Sequence, residues 1–304
     1  MLEARTSPIV SLMNDSIFRS TDQRLTISVV SYSEPFWQLE MTLRSVAVAT
    51  RELHSSGMLF RARIVVVDNR EKNGLSQEDI QAIMKDVNPD TEISIIQGHG
   101  NIGYGAAQNL TLDQNPNGFH LFLNPDLKVA PDSILVGLDF LLQNPDVGIV
   151  APFATDFNNK KLYLNKRYPT VFDLFLRGIY GEYRTFKSSR LFFYEMQDLC
   201  ETEPTTKLEL ISGCFMLCRN RFLLDIGGFD QSYFLYFEDF DLSIRMRSIA
   251  KLAYEPKMRI KHWGGNAARK GASHLLIFIL SGIRFYNRHG WRWYKQDKGE
   301  PVPK

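Results

Sequence analysis

Three carboxylates and an imidazole have the types and spacing to do chemistry. Tyr236-Phe237-Glu238-Asp239-Phe240-Asp241 carries the acids, and His262-Trp263-Gly264-Gly265 begins 21 residues after Asp241. Upstream, Phe122-Leu123-Asn124-Pro125-Asp126 places a further acid just after an apolar run. On a helix Glu238 and Asp241 share a face, and Asp241 can pair with Arg245 four residues on. Asp239 points about 100° away from Glu238 and meets only Leu242 and Ser243 at the next turn. A carboxylate left without a cationic partner beside a cleft is a candidate general base. The acids would also suit a helix N-terminus through the macrodipole alone, and a histidine at a strand end can equally be a core residue. Taken together, however, the acid at one strand end, the imidazole at another and the acid-rich helix start suit a divalent metal with a base nearby.

That combination fits transfer of a group from a diphosphate. A sugar on a nucleoside diphosphate departs from a phosphate whose developing charge needs a cation. Mg²⁺ or Mn²⁺ held by Asp126 and His262 could bridge the two phosphates as a Lewis acid. Asp239 on the opposite side of the sugar would take the proton of an acceptor hydroxyl. One base and one displacement give inversion at the anomeric carbon.

The elements that must position these groups read as alternating strands and helices. Leu25–Val30, Arg63–Val67, Glu92–Ile96, Phe119–Leu123 and Val147–Ala151 are apolar, β-branched runs. Helical stretches are expected from Pro35 to about His54, over about 76–87, after the Gly98–Gly105 turn to about Leu112, and over Pro131–Gln143. This alternation predicts an α/β fold with a mostly parallel sheet sandwiched by helices, whose ligands sit at the carboxyl ends of the strands. Asp68 and Asp126 fall at such ends. Residues 155–207 lose the pattern and read as an irregular, partly helical insertion on the acceptor side. A strand over 208–217, a helix over 220–226, a helix from Glu238 to about Ile249 and a strand over 257–261 follow. The expected organisation is an extension over 1–24, a domain over 25–290 with halves meeting at 152/153, and a tail over 291–304.

Gly98-x-Gly100-x-x-Gly103 also matches a dinucleotide fingerprint, with Asp126 about 20 residues on. It would make the chain a nicotinamide- or flavin-dependent oxidoreductase. Two strand–helix units precede the turn, whereas the fingerprint usually opens its own unit, and that reading leaves Glu238–Asp241 and His262 without a role.

Composition excludes little. The 304 residues are 44% hydrophobic and 23% charged, with a net charge of +2, so nothing nominates nucleic acid. Cys200, Cys214 and Cys218 make no even disulfide framework, which points to reduced thiols and a cytoplasmic protein. The longest strongly apolar run, Leu275–Ile283, is too short to span a bilayer. Lys160–Arg190 holds eight Lys/Arg against two acids, and Lys261 to the C-terminus nine against two, both interleaved with aromatics. Such segments suit peripheral contact with the inner face of an anionic membrane, and Lys166, Arg167 and Arg177 are the expected contacts.

The ordered set Ser31-Tyr32-Ser33, Val67-Asp68-Asn69, Asn101-Ile102-Gly103-Tyr104-Gly105-x-x-x-Asn109, Asn124-Pro125-Asp126, Gly213, Glu238-Asp239-x-Asp241 and His262-x-Gly264-Gly265 resembles the bacterial inverting glycosyltransferases of family 2, which have a GT-A fold. Within them it is similar to rhamnosyltransferases that build lipopolysaccharide, O-antigen or capsular polysaccharide. The resemblance covers about residues 25–290. It implies a dTDP-L-rhamnose donor and a lipid-linked or core saccharide acceptor. By the same resemblance, Asp68 would bind the nucleobase and Ser31-Tyr32 would wall its pocket. Asn101, Gly103, Tyr104, Asn109 and Asn124 would shape the donor cleft, and Gly213, Glu238, Asp241 and Trp263 would support the acceptor side. Asp126 and His262 would hold the metal, with Asp239 as base. Where the family commonly has Asp-x-Asp, this chain has Asn124-Pro125-Asp126, which leaves a single acid; a chain with so thinned a motif could also bind nucleotide sugars without transferring them. The processive Gln-x-x-Arg-Trp signature is absent, as expected for addition of one or few sugars.

Overall fold

The computed structural model describes residues 24–58, 61–71, 74–83, 91–180, 188–264 and 271–294. The expected extension, most of the expected tail, Gly265 and the end of the helix expected over 76–87 lie outside the described residues. The strands are β1 (Arg24–Ser31), β2 (Arg61–Asp68), β3 (Glu92–Ile96), β4 (Phe119–Leu123), β5 (Leu127–Val129), β6 (Val147–Thr155), β7 (Lys161–Leu162), β8 (Asn165–Lys166), β9 (Leu210–Ile211), β10 (Phe215–Arg219) and β11 (Lys251–His262). The helices are α1 (Phe36–Ser55), α2 (Gln77–Ile83), α3 (Tyr104–Asn109), α4 (Ser133–Gln143), α5 (Val171–Tyr180), α6 (Ser189–Tyr194), α7 (Asn220–Asp225), α8 (Glu238–Arg247) and α9 (Ala272–His289).

A nine-stranded sheet runs in the order β3-β2-β1-β4-β10-β6-β11-β5, with β7 paired to β6. Its strands are near-continuous apolar runs because helices cover both faces. β1, β2, β3, β4, β6 and β11 share one direction, so the sheet is mostly parallel; β5, β7 and β10 oppose them. α1 buries Leu39, Leu43, Val46 and Leu53 on the face it turns to the core, at helical spacing. Register then sets the active edge. Ser31 lies opposite Asp68, and Val29 opposite Leu123, so the carboxyl ends of β1, β2 and β4 finish together.

Two strands differ from expectation. The run expected as one strand over 208–217 is broken at Ser212-Gly213-Cys214. β9 pairs with β8 in a separate two-stranded sheet, while β10 enters the main sheet between β4 and β6. The break has a cause, since its backbone groups bond to the site instead of to a ladder: Asp239 takes the Gly213 N–H and Asn124 donates to the Cys214 carbonyl. The strand expected over 257–261 is the end of the longer β11. Glu255-Pro256-Lys257 reads as a breaker, but the ladder to β6 slips between Glu255 and Arg259, and Pro256 sits in that bulge where no N–H is required. The helix expected to reach Ile249 ends at Arg247. β5 has no clear signal in its three residues; it pairs antiparallel with β11 and sets His262 opposite Leu127.

The insertion contains two short strands and helices α5 and α6. Lys166 and Arg167, expected to face a membrane, are each only 5% exposed. Arg167 makes a two-pronged bond to Asp198 at 3.0 and 2.6 Å, and Lys166 lies 3.7 Å from Glu195 and donates to the Tyr163 carbonyl. Both hold the insertion together. Among the described residues no helix is long and apolar enough to cross a membrane.

Candidate active site

The site lies at the carboxyl edge of the parallel strands, and the antiparallel strands complete it. β10 runs the other way, so its amino end, not its carboxyl end, reaches this edge. Antiparallel pairing of β5 with β11 does the same for Asp126 and His262. Asp126 precedes β5, its carbonyl accepts from the Trp263 N–H (3.0 Å), and its Oδ1 lies 3.2 Å from His262 Nε2. From behind, α1 fixes the turn: the Thr42 hydroxyl is 2.8 Å from the Pro125 carbonyl and accepts from the Leu127 N–H.

Asp126 Oδ1 is buried and makes no hydrogen bond of acceptable geometry despite the nearby imidazole. A carboxylate oxygen orphaned beside an imidazole nitrogen is what a cation site leaves when described from the protein alone. The 3.2 Å separation is close to the ~3.0 Å edge between adjacent ligands on a cation with bonds of about 2.1 Å. Among the described residues no group of three or more His, Cys, Asp or Glu could hold a metal. Asp126 and His262 supply an oxygen and a nitrogen donor, so a Mg²⁺ or Mn²⁺ held there would need its remaining ligands from substrate phosphates and water.

Asp239 is the second residue of α8, which carries Glu238, Asp239 and Asp241 in its first turn and Arg245 and Arg247 in its last. The chain reaches α8 through Tyr236 and Phe237, both left-handed at φ of 68° and 65°. Two successive bulky residues there are strained, a feature held only where surroundings over-determine it. The three acids then diverge. Asp241 is fully buried, 2.7 Å from Arg245 Nε and 2.8 Å from His289 Nε2. Glu238 is buried with Oε2 unpartnered, and burial, then the Asp239 charge, pushes its carboxyl well above the usual range. Among the described residues no cation contacts the Asp239 carboxylate, but it is not bare: Oδ2 accepts from Gly213 N and Oδ1 from Phe240 N, each at 2.9 Å. Burial raises its pKa, while these N–H groups and the Arg177 charge hold it down. Asp239 thus stays the more ionisable of the adjacent pair.

Arg177, also expected to touch lipid, is exposed, lies 3.9 Å from Glu195 and acts electrostatically on Asp239. Asp126 and Asp239 flank one point, the break before β10. Both charges, after burial, help push the Cys214 thiol up to about 12. Asp239 bonds Gly213, and Asn124 bonds Cys214, so the acid–imidazole pair and the base share one short piece of backbone. Tyr104 closes the same place by donating from its hydroxyl to the Gly213 carbonyl at 2.6 Å. Gln108 supports that hydroxyl at 3.0 Å and is itself bonded by Ser28.

The remaining expected residues divide between cleft and scaffold. Asp68 is fully buried, and its carboxylate accepts from Arg70 N and Nε and from Leu75 N. Ser31 donates to Glu34, and Tyr32 is 48% exposed at the rim. Asn101 caps Gly103 N, while Asn109 clamps both backbone groups of Phe229 and so fixes α3 to the loop after α7. Trp263 is half exposed and meets Trp37 edge-on at 5.0 Å and Phe157 at 4.8 Å. Of the dinucleotide-like glycines, Gly103 is committed to packing within the protein. β3 is an edge strand, and a Cβ on Gly103 would stand 2.3 Å from the Phe234 carbonyl oxygen, so that glycine admits protein backbone. Sequence reasoning missed Thr42, Gln108, Arg177 and His289. None belongs to a short motif; only the fold brings them here.

No protein-family model matches the chain. It is 26% identical over 284 residues, 88% of this chain and 86% of the relative, to an N-acetylglucosaminyl-diphospho-decaprenol L-rhamnosyltransferase of Mycobacterium tuberculosis. It is also 26% identical to the rhamnosyltransferase WbbL of Escherichia coli, over 57% of this chain and 60% of that one. Among solved structures it resembles Staphylococcus aureus TarS 1–349, with a TM-score of 0.53 and 12% identity, covering 87% of this chain and 66% of that one. A Pyrobaculum calidifontis mannosyltransferase solved with GDP-Man and Mn²⁺ gives a TM-score of 0.53 and 14% identity over 91% of this chain and 71% of that one. The chain is a glycosyltransferase of the GT-A type. In open, mostly parallel α/β sheets ligands bind outside the carboxyl ends of the strands, and the residues described above meet at that edge.

Proposed function

We propose that the glycosyltransferase moves L-rhamnose from dTDP-L-rhamnose, with inversion, to a saccharide carried on a lipid diphosphate during cell-envelope polysaccharide synthesis. Lipopolysaccharide, O-antigen and capsule are the settings this reading covers, at the cytoplasmic face of the membrane. The sugar and the acceptor class are supported by the relatives, one of which is named for rhamnosyl transfer to a decaprenol-diphosphate saccharide. The observation that carries the chemistry is the pair of carboxylates, Asp126 and Asp239, on either side of the Gly213-Cys214 break.

In this reading Asp126 and His262 hold the divalent cation, which when bound would neutralise charge on the departing diphosphate. Asp239 accepts the proton of the acceptor hydroxyl. Its two backbone N–H bonds fix which lone pairs face the cleft, and partial burial raises its basicity toward that of a useful base. Burial and the Asp239 charge push the neighbouring Glu238 carboxyl upward, which favours its protonated form beside the base. Tyr104 and the Gly213 backbone exclude water from the far side of the carboxylate.

Calorimetric titration with dTDP-rhamnose, UDP- and GDP-sugars and NADH, each with Mn²⁺ and with EDTA, tests the reading. Metal-dependent binding of dTDP-rhamnose, followed by transfer to a saccharyl-diphosphate lipid, is expected. Preference for another nucleotide sugar would reassign the donor, and NADH binding would return the role to the Gly98–Gly103 turn. Donor binding without transfer to any acceptor would mark a nucleotide-sugar-binding protein.

A further inference from the structure

We propose that the outer face of α9 rests on an anionic lipid bilayer and so brings the segment carrying Asp239 to the membrane surface. The use of such a contact rests on the lipid-linked acceptor proposed above; the surface itself stands on separate observations. α9 has two apolar faces. Inward, Phe278 and Phe285 pack on Phe237 at ring separations of 5.0 and 5.2 Å. Outward, Leu275, Leu276, Ile279, Leu280 and Ile283 are each 42–61% exposed. At about 100° per residue these five fall on one side of the helix. No Asp, Glu, Lys or Arg occurs from Ala272 through Ile283. A solvent-facing helix has no use for so continuous an aliphatic ridge, and such a patch marks an interaction surface. The helix is too short and too polar at its end to cross a bilayer, which leaves it lying in the interface plane.

Two features choose lipid over a second copy of the chain. Trp291, Trp293 and Tyr294 follow the helix directly and are 41–66% exposed, and these are the side chains favoured at the water–lipid boundary. Charge agrees: from Lys261 to the C-terminus the chain carries nine Lys/Arg and two acids. An isologous dimer through this face would set basic segment against basic segment, whereas an anionic surface is complementary to it. Arg284 and Arg288 lie at the polar border of the ridge, beside an open cleft walled by Phe234 and Leu280.

The same helix grips the catalytic segment. The Tyr236 hydroxyl is 2.9 Å from His274 Nδ1, near the start of α9, and His289 at its end holds Asp241. A contact on the outer face would thus orient α8, and with it Asp239, toward an acceptor whose lipid lies in the same bilayer.

The test is co-sedimentation of the full chain with phosphatidylglycerol vesicles and with phosphatidylcholine vesicles, for wild type and for the double variant Leu276→Gln/Leu280→Gln. Wild type is expected to pellet with the anionic vesicles. The double variant, with unchanged melting temperature, should lose at least about tenfold in partitioning. Absence of wild-type pelleting, equal pelleting with both lipids, or an unaffected double variant each overturns the proposal. So does wild-type self-association in sedimentation velocity that the double variant abolishes, since a second copy would then cover the face. Transfer to a water-soluble, short-chain acceptor separates this question from the reaction. The double variant should keep that activity, and if wild type lacks it the proposed reaction fails while pelleting still decides the surface.

Discussion

Replacing Asp239 by Asn removes the proposed base while keeping its shape, and the structure sets the size of each consequence. General-base catalysis contributes about 10²–10⁴-fold, so turnover should fall by that factor, equivalent to about 2.7–5.4 kcal/mol of barrier. Folding should change much less, because two opposing effects meet at one side chain. Both carboxylate oxygens accept a backbone N–H, from Gly213 and from Phe240, and an amide can accept only one of them. The other N–H then faces an NH₂ group, at a cost of about 1–3 kcal/mol. Against this, the variant no longer holds a desolvated charge next to Glu238. The folded pKa of Asp239 is raised, so its contribution favours the folded state most below the unfolded carboxylate value and declines as pH rises through the folded value. Asn removes that decline. The melting temperature of the variant relative to wild type should therefore climb as pH rises above about 4, where the unfolded carboxylate ionises first, and stay within several degrees throughout. Single-turnover transfer from labelled donor, donor calorimetry and thermal melts at several pH values report the three quantities. Donor affinity should hold within about twofold, since the base lies on the acceptor side. Turnover within tenfold of wild type would refute the assignment, and loss of donor binding would move Asp239 to the donor site.

Three further perturbations probe the rest of the site. Asp126→Asn and His262→Gln should each weaken Mn²⁺-dependent donor binding by about tenfold or more, read by calorimetry, and leave the metal-free baseline unchanged; equal binding with Mn²⁺ and with EDTA in wild type would remove the cation from the site. Arg177→Gln deletes the cation that lowers the Asp239 pKa, so the acid limb of kcat/KM should move to higher pH. A limb that stays put or moves down would show that Arg177 acts elsewhere. Gly103→Ala forces a Cβ to within 2.3 Å of the Phe234 carbonyl at a φ of +87°, and should cost more than about 2 kcal/mol in denaturant unfolding. An unchanged midpoint would mean that the α3 and Phe234 segments part freely.

Much of this was legible in the chain because the parallel strands are buried on both faces and read as unbroken apolar runs. β1 to β4 and β6 were legible for that reason, and with them Asp68 and Asp126 at strand ends. What escaped depends on pairing partners distant in sequence. β5 is three residues long and exists because β11 lies beside it; β11 itself is masked by Pro256 in a bulge. The 208–217 run has strand chemistry throughout, yet its centre is taken over by Asp239 and Asn124 from elsewhere in the chain. Lys166 and Arg167 show the opposite failure. Basic residues among aromatics looked like a surface, but Asp198 and Glu195, about thirty positions on, draw them inside. α9 has two apolar faces, and sequence alone could not say which of them is covered.

The reversed direction of β10 explains how one short piece of backbone meets both Asp239 and the Asn124 turn. In a wholly parallel sheet every strand would bring its carboxyl end to the active edge, supplying side chains from loops that leave the sheet. β10 brings an amino end, and the approach to an amino end exposes backbone N–H groups not yet committed to a ladder. One of these, on Gly213, fixes the carboxylate of Asp239, and the next carbonyl, on Cys214, takes the Asn124 N–H beside Asp126. Glycine at 213 allows a close approach: a Cβ there would lie 3.2 Å from the Cβ of Asp239 and press on it by a few tenths of an ångström. The proposed metal-side acid and the proposed base are therefore tied to adjacent backbone groups, Asp239 directly at Gly213 and Asp126 through the Asn124 turn at Cys214. A shift of either strand by one residue would separate them, because neighbouring side chains on a strand point to opposite faces of the sheet.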